Sequence, residues 1–280
     1  MSIVVESAGA LMQRPAPSRS TNDKPVTQAR VIHSEWIKLR TLRSSWAVLG
    51  ATMLGIVAVG MIASYINKSH WATMSLSDRA TFDPVDSSLL GVNFAPLLIG
   101  TLGVLFITGE YATGMIRATL TAVPKRVPVI IAKGAVYAAV SFVVALVAAL
   151  LAFVGGQALL ESHGVALTHP GAFRAVFGSA LVLAVIGLFG MAIGFVIRST
   201  AGAVATLFGL LLILPSVIYA LPSSWSNHLE PYLPYSAGQA LYTLHPDNGS
   251  LSPWAGFGLL VGYTAILLAV AMLALLRRDA

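Results

Sequence analysis

The amino-acid sequence predicts an all-α membrane protein with six transmembrane helices and both termini in the cytoplasm. Three observations predict it. Of 280 residues, 56% are hydrophobic and only 10% charged, with a mean hydropathy of +0.81, whereas a soluble domain carries about 25% charged residues to face water. Six apolar stretches reach the roughly 20 residues needed to cross hydrocarbon. Lys and Arg gather on alternate connections between those stretches, as the positive-inside rule requires of a polytopic chain.

Residues 1–27 form a polar tail containing Pro15, Pro17, Ser18, Ser20, Thr21 and Pro25, with no helical period. It is expected to be disordered in the cytoplasm. Ile3, Val4 and Val5 are too few for the apolar core of about 7–15 residues that a secretory signal needs. Residues 28–280 read as one transmembrane domain, with spans at about 46–66, 89–108, 129–159, 175–197, 201–221 and 254–276. The third is long enough to tilt or to break at Gly155 and Gly156. Only Arg198, Ser199 and Thr200 separate the fourth from the fifth, which forces an antiparallel hairpin. Two G-x-x-x-G pairs, Gly190/Gly194 and Gly258/Gly262, permit close helix approach and are expected to pack within the bundle. Ser236 is expected to cap a short helix through Leu244, and Trp225, Tyr232, Tyr235, Tyr242 and Trp254 to supply the aromatics of the outer interface.

Orientation follows from the basic residues. With the N-terminus inside, fourteen of the 17 Lys and Arg lie on the inner side, and only Lys68, Arg79 and Arg174 lie outside. Asp78, Asp83, Asp86, Glu161, Glu230 and Asp247 fall outside, and residues 223–253 contain no Lys or Arg. The net charge of +6 is thus a topological signal, and nucleic acid is not an expected partner. The chain has no cysteine, so single cysteines report topology cleanly. A membrane-impermeant thiol reagent on intact cells is expected to label a cysteine at Asn248 and spare one at Thr121; the reverse pattern inverts the topology.

The absences carry information about energy source. No Asp, Glu, Lys, Arg or His lies in the middle of any span, whereas an ion-driven carrier usually needs a titratable group near the bilayer midplane. Lys133, one turn inside the third span, is expected to snorkel to the cytoplasmic surface. Asn93 and Gln157, near outer ends, are expected to find neighbouring backbone. No Gly is followed by Lys, so the phosphate loop G-x-x-x-x-G-K-[ST] is missing and no ATP hydrolysis is expected on this chain. G-x-S-x-G and H-E-x-x-H are missing too, and thiolate chemistry is excluded. Five of the six histidines fall in outer loops without a helical i, i+4 pair, so no metal site is expected.

Two inner segments look built to meet another protein. In residues 28–45, Ile32, Trp36 and Leu39 share one helical face and Arg30, His33 and Arg40 the other. Ile37 falls on the polar side and Glu35 near the apolar edge. Such a helix is expected to lie in the membrane interface, basic residues toward anionic lipid. In residues 109–128, Glu110 ends the second span beside helix-terminal carbonyls that disfavour a lone carboxylate. It therefore calls for a basic partner, with Arg117, Lys133 and Arg198 as candidates. Tyr111, Met115 and Ala118 share a face at i, i+4, i+7, and Pro128 suits a helix first turn.

The motifs S-E-W-x-K-L-R-T before the first span, T-G-E-Y-A-T-G-M-I-R-A-T-L after the second, and L-P-Y-S-A-G-Q-A-L at residues 233–241 resemble the permease subunits of type-2 ABC exporters. The closest branch is actinobacterial, in which permease and ATPase are separate chains. The resemblance runs from about Arg30 to Arg278. It implies an N-terminal interface helix carrying Ile32, Glu35, Trp36, Lys38, Leu39 and Arg40. It implies a coupling helix whose Glu110, Tyr111, Gly114, Met115 and Arg117 rest in a groove of the ATPase, and a re-entrant-like outer loop. The working unit would be a homodimer or heterodimer bearing two ATPases in the cytoplasmic membrane. ATP and magnesium would sit on the ATPase, with no cofactor here. The implied activity is ATP-driven export of an amphipathic or hydrophobic solute, of the kind seen in multidrug or antibiotic efflux. The alternatives are an ion-coupled secondary transporter and a non-transporting membrane scaffold or immunity protein.

Overall fold

The computed structural model describes residues 27–122, 126–245 and 249–277, without the side chains of Arg117, Ala118, Leu120, Ala122 and Arg126. The expected tail (to residue 26), Lys125, Asp247, Asn248 and Arg278 therefore lie outside the described residues. Among the described residues, every regular element is helical. α1 (Gln28–Thr41) precedes α2 (Arg43–Ser69), the short α3 (Leu76–Thr81) and α4 (Pro84–Leu89), then α5 (Ala95–Ala112) and α6 (Met115–Ala122). α7 (Arg126–Leu160) and α8 (Ala172–Ile197) are long; α9 (Thr200–Phe208) and α10 (Leu214–Tyr219) share one axis; α11 (Ser223–Leu229) and α12 (Pro234–Gln239) are short; α13 (Pro253–Arg277) closes the chain.

Among the described residues, six helical segments are long and apolar enough to cross a membrane: Arg43–Ser69, Pro84–Ala112, Val127–His163, Ala172–Ile197, Thr200–Tyr219 and Pro253–Arg277. They coincide with the six predicted spans to within several residues. The second is composite. The Asp83 carboxylate caps α4 by accepting from the Val85 and Asp86 amides at 2.8 and 3.3 Å, and a 3-10 turn (Leu90–Asn93) leads into α5, where Pro96 occupies the first turn. In the fifth span a π-turn (Gly209–Ile213) runs up to Pro215, whose missing amide prevents regular α bonding there.

α8 lies at the centre, packed by α5, α7 and α13. At its crossing with α5, a Cβ on Gly103 would stand 2.2 Å from the Gly187 carbonyl oxygen, and one on Gly190 would stand 2.1 Å from that of Gly100. Backbone therefore touches backbone, and Gly190 and Gly194 pack inside the bundle as expected. Gly258 and Gly262 do not: a Cβ on either meets nothing within 4 Å, because they lie on the outward face of α13. α7 runs unbroken for 35 residues, so the helix does not break at Gly155 and Gly156. They instead admit close neighbours, Met61 at Gly155 and the Ser64 and Ser88 side chains at Gly156. At 1.5 Å per residue α7 is about 52 Å long, enough to carry its first turns alongside α1.

Within the connection at residues 223–253, the described stretch 223–245 is folded rather than loose. Ala237 and Leu241 are fully buried, against α8 and α13. Arg174 of α8 donates to the Leu241 and Thr243 carbonyls at 2.6 and 3.3 Å, satisfying acceptors beyond the end of α12. Ser236 is not its cap. The helix starts at Pro234, which needs no amide partner, with Leu233 at the cap position and no side-chain cap bond. Tyr242 donates to Asn93 Oδ1 at 3.0 Å, so a side chain serves Asn93. Gln157 finds backbone as expected, donating to the Pro84 carbonyl at 2.9 Å and accepting from the Val165 amide at 2.7 Å.

Candidate functional site

The site forms where α1, α5, α6 and α7 meet. α1 is held along the first turns of α7. The Gln28 side chain donates to the Pro128 carbonyl at 3.0 Å, and Val31 packs with Val129 and Ala132. The face of α1 buried in the protein is Val31, Glu35 and Leu39, at i, i+4 and i+8. Of the expected apolar face, Leu39 belongs to this buried set, while Ile32 and Trp36 stand exposed beside it. At Leu42 the backbone turns extended and ends α1, and Trp46 Nε1 donates back to the Arg40 carbonyl at 3.1 Å, fixing the elbow into α2.

That geometry carries Glu35 inward rather than to an apolar edge. Lys133, two turns into α7, is also fully buried and does not snorkel. Its Nζ lies 2.6 Å from Glu35 Oε2 and 2.5 Å from Glu110 Oε1, and 5.2 Å from the centre of the Phe106 ring. Lys38 completes the group, 2.8 Å from Glu35 Oε1 and 3.4 Å from Glu110 Oε1, and it also donates to Thr119 Oγ1 on α6 at 3.1 Å. Two carboxylates and two ammonium groups therefore alternate and sum to zero charge. An isolated buried ion would cost several kcal/mol; here each charge of one sign faces charges of the other. At Lys38, burial pulls the pKa down, but the bonds and charges of Glu35 and Glu110 more than offset it and hold the group above its ordinary value.

The segment expected to form one coupling helix, with Glu110, Tyr111, Gly114, Met115 and Arg117 on it, is two pieces. α5 continues through Tyr111 to Ala112, and Gly114, at φ +70°, reverses the chain before α6 begins at Met115. The proposed continuous face of Tyr111, Met115 and Ala118 is broken by that turn. Met115 is exposed and Ile116 buried. Tyr111 is half-buried beneath Arg198, whose guanidinium carbon lies 5.2 Å from the ring centre; Arg198 also donates to the Ala274 carbonyl of α13 at 3.3 Å. Of the candidate partners for Glu110, Lys133 is bonded to it, joined by Lys38. Arg117 lies on α6, with its side chain outside the description.

Residues 29–280 match the family model for ABC-2 family transporter proteins. The chain belongs to the ABC-2 transporter family. No curated protein matches it. The matched range starts at the second residue of α1 and runs through α13, so it contains the whole charge network. This ABC-2 chain is a multi-pass protein of the cell membrane. ABC-2 permeases are membrane subunits, generally non-enzymatic, that normally partner with an ATPase.

Proposed function

We propose that this ABC-2 chain is the membrane subunit of an ATP-driven exporter that moves an amphipathic or hydrophobic solute outward across the cytoplasmic membrane. It works as a dimer with a separate ATPase that binds ATP and magnesium, with both termini of the permease in the cytoplasm. Homodimer and heterodimer use the site in the same way. The ATPase rests on α6, with Met115 and Arg117 at the contact and α1 beside it. Glu110 acts from behind that surface. Its carboxylate, buried with Lys133, links the end of α5 to α1 and α7, while Lys38 links α1 to α6.

The observation that carries this reading is the hydrogen bond from Lys38 of α1 to Thr119 of α6, anchored in a buried ionic network at one end of the bundle. A push on α6 is thereby shared with α1 and α7 rather than absorbed by a loose loop, as a two-state transmission requires. Near the middle of the spans, by contrast, the sequence supplies no Asp, Glu, Lys, Arg or His for an ion relay. Liposomes holding the permease with its ATPase are expected to accumulate a dansylated long-chain alkyl probe on ATP, and vanadate is expected to stop it. Accumulation by the permease alone on an imposed proton or sodium gradient would overturn the reading.

A further inference from the structure

One strong acceptor in the charge network is unused. Glu110 Oε1 takes both lysines, whereas Oε2 is buried with no hydrogen-bond partner among the described residues. Such an oxygen ordinarily has a donor. Glu110 also borders a cavity of about 440 Å³ between the α1–α2 elbow and α5, with Lys38 at the same end. The remaining wall is mostly apolar, with Leu42, Val48, Leu102, Leu105 and Phe106 among its residues. Leu42 and Leu105 are 48% and 40% exposed, so the cavity meets the flank of the bundle rather than its centre. The volume lies within the range of about 300–1,000 Å³ typical of small-ligand sites.

We propose that this cavity binds a long-chain amine, with its alkyl chain between α2 and α5 and its ammonium group at the Glu110 carboxylate, which has one acceptor oxygen to spare. The polar end selects the head. The ammonium of Lys38 already serves Glu35, Glu110 and Thr119, and the unused atom is a carboxylate oxygen, which accepts from a cation and repels an anionic head. A hydroxyl could reach the same carboxylate, but a cation makes the stronger, charge-assisted bond. Binding also has a consequence, which rests on the export reading above. The 3.4 Å contact between Lys38 and Glu110 is the longest of the network and is the one a second cation on Glu110 replaces. Lys38 is then left to Glu35 and Thr119, so occupancy of the cavity is felt at α6.

The test uses the full chain in lipid nanodiscs with a photoactivatable diazirine derivative of dodecylamine, its attachment points mapped by mass spectrometry. Saturable labelling is expected on α2 and around residues 102–106 of α5. Unlabelled dodecylamine should compete at least tenfold better than dodecanol or dodecyl phosphate. Leu105→Trp fills the cavity without touching the network and is expected to lower labelling at least tenfold at an unchanged melting temperature. Glu110→Gln is expected to erase the preference for amine over alcohol. Equal competition by the three compounds, or labelling that Leu105→Trp leaves unchanged, overturns the proposal. No ATPase is present in this assay, so the site stands or falls separately from the export reading: labelling without ATP-driven transport sinks the latter alone.

Discussion

Replacing Lys133 with methionine is expected to destabilise the protein more than any other single change in the network. Methionine fills similar volume, so the effect is electrostatic. It leaves the Glu35 and Glu110 carboxylates facing one another with only Lys38 between them, one negative charge in excess, at positions 0% and 8% exposed. Breaking a buried ion pair by removing one partner typically costs about 3–5 kcal/mol. The expected result is a low yield of monodisperse protein and a clearly lowered melting temperature in detergent. The double change Lys133→Met with Glu110→Gln removes one charge of each sign and keeps the Glu35–Lys38 pair at 2.8 Å. It is expected to recover much of the loss, because replacing a buried pair by neutral groups of similar size is often close to neutral. A Lys133→Met protein as stable as the parent would show that the lysine neutralises nothing.

The six spans were legible because hydrocarbon imposes a length and a composition that a run of residues either meets or fails. Their internal breaks were less so. The composite second span depends on Asp83, Pro84 and Pro96 acting together, and each of them alone is compatible with a continuous helix end. In the site, the need of Glu110 for a basic partner was legible, since a carboxylate at a helix C-terminus is unfavourable, and Lys133 stood among the candidates. What hid the network was treating Lys133 as a snorkelling flank and Glu35 as an imperfection in an amphipathic face. Snorkelling is the right expectation for a lysine near a span end that faces lipid. Here α1 covers the first turns of α7, and the covering residue at that height is Glu35. The E-x-x-K spacing of Glu35 and Lys38, with Lys133 alone in an apolar run, was the available signal. It required knowing that α1 packs on α7, a contact about 100 residues away in sequence. Gly114 was visible as a glycine, but whether it ends a helix or merely sits in one depends on its φ, which composition does not give.

The central claim, that α6 drives the bundle through Lys38, calls for a variant that cuts this tie and leaves charge balanced. Lys38→Met with Glu110→Gln does so. The Glu35–Lys133 pair at 2.6 Å survives and α1 stays on α7, whereas the bond to Thr119 is gone. Fold and assembly are therefore expected to hold. The Lys133→Met, Glu110→Gln protein is the matched control, since it lacks Glu110 too but retains the Lys38–Thr119 bond. The measurement is vanadate-sensitive ATP turnover of the reconstituted permease–ATPase complex, compared at equal subunit stoichiometry with the ATPase alone. The parent permease is expected to change that turnover severalfold and the control to keep most of the change, while with Lys38→Met, Glu110→Gln the rate falls to that of the ATPase alone. Turnover equal to the parent's in that variant, at full assembly, would contradict the account.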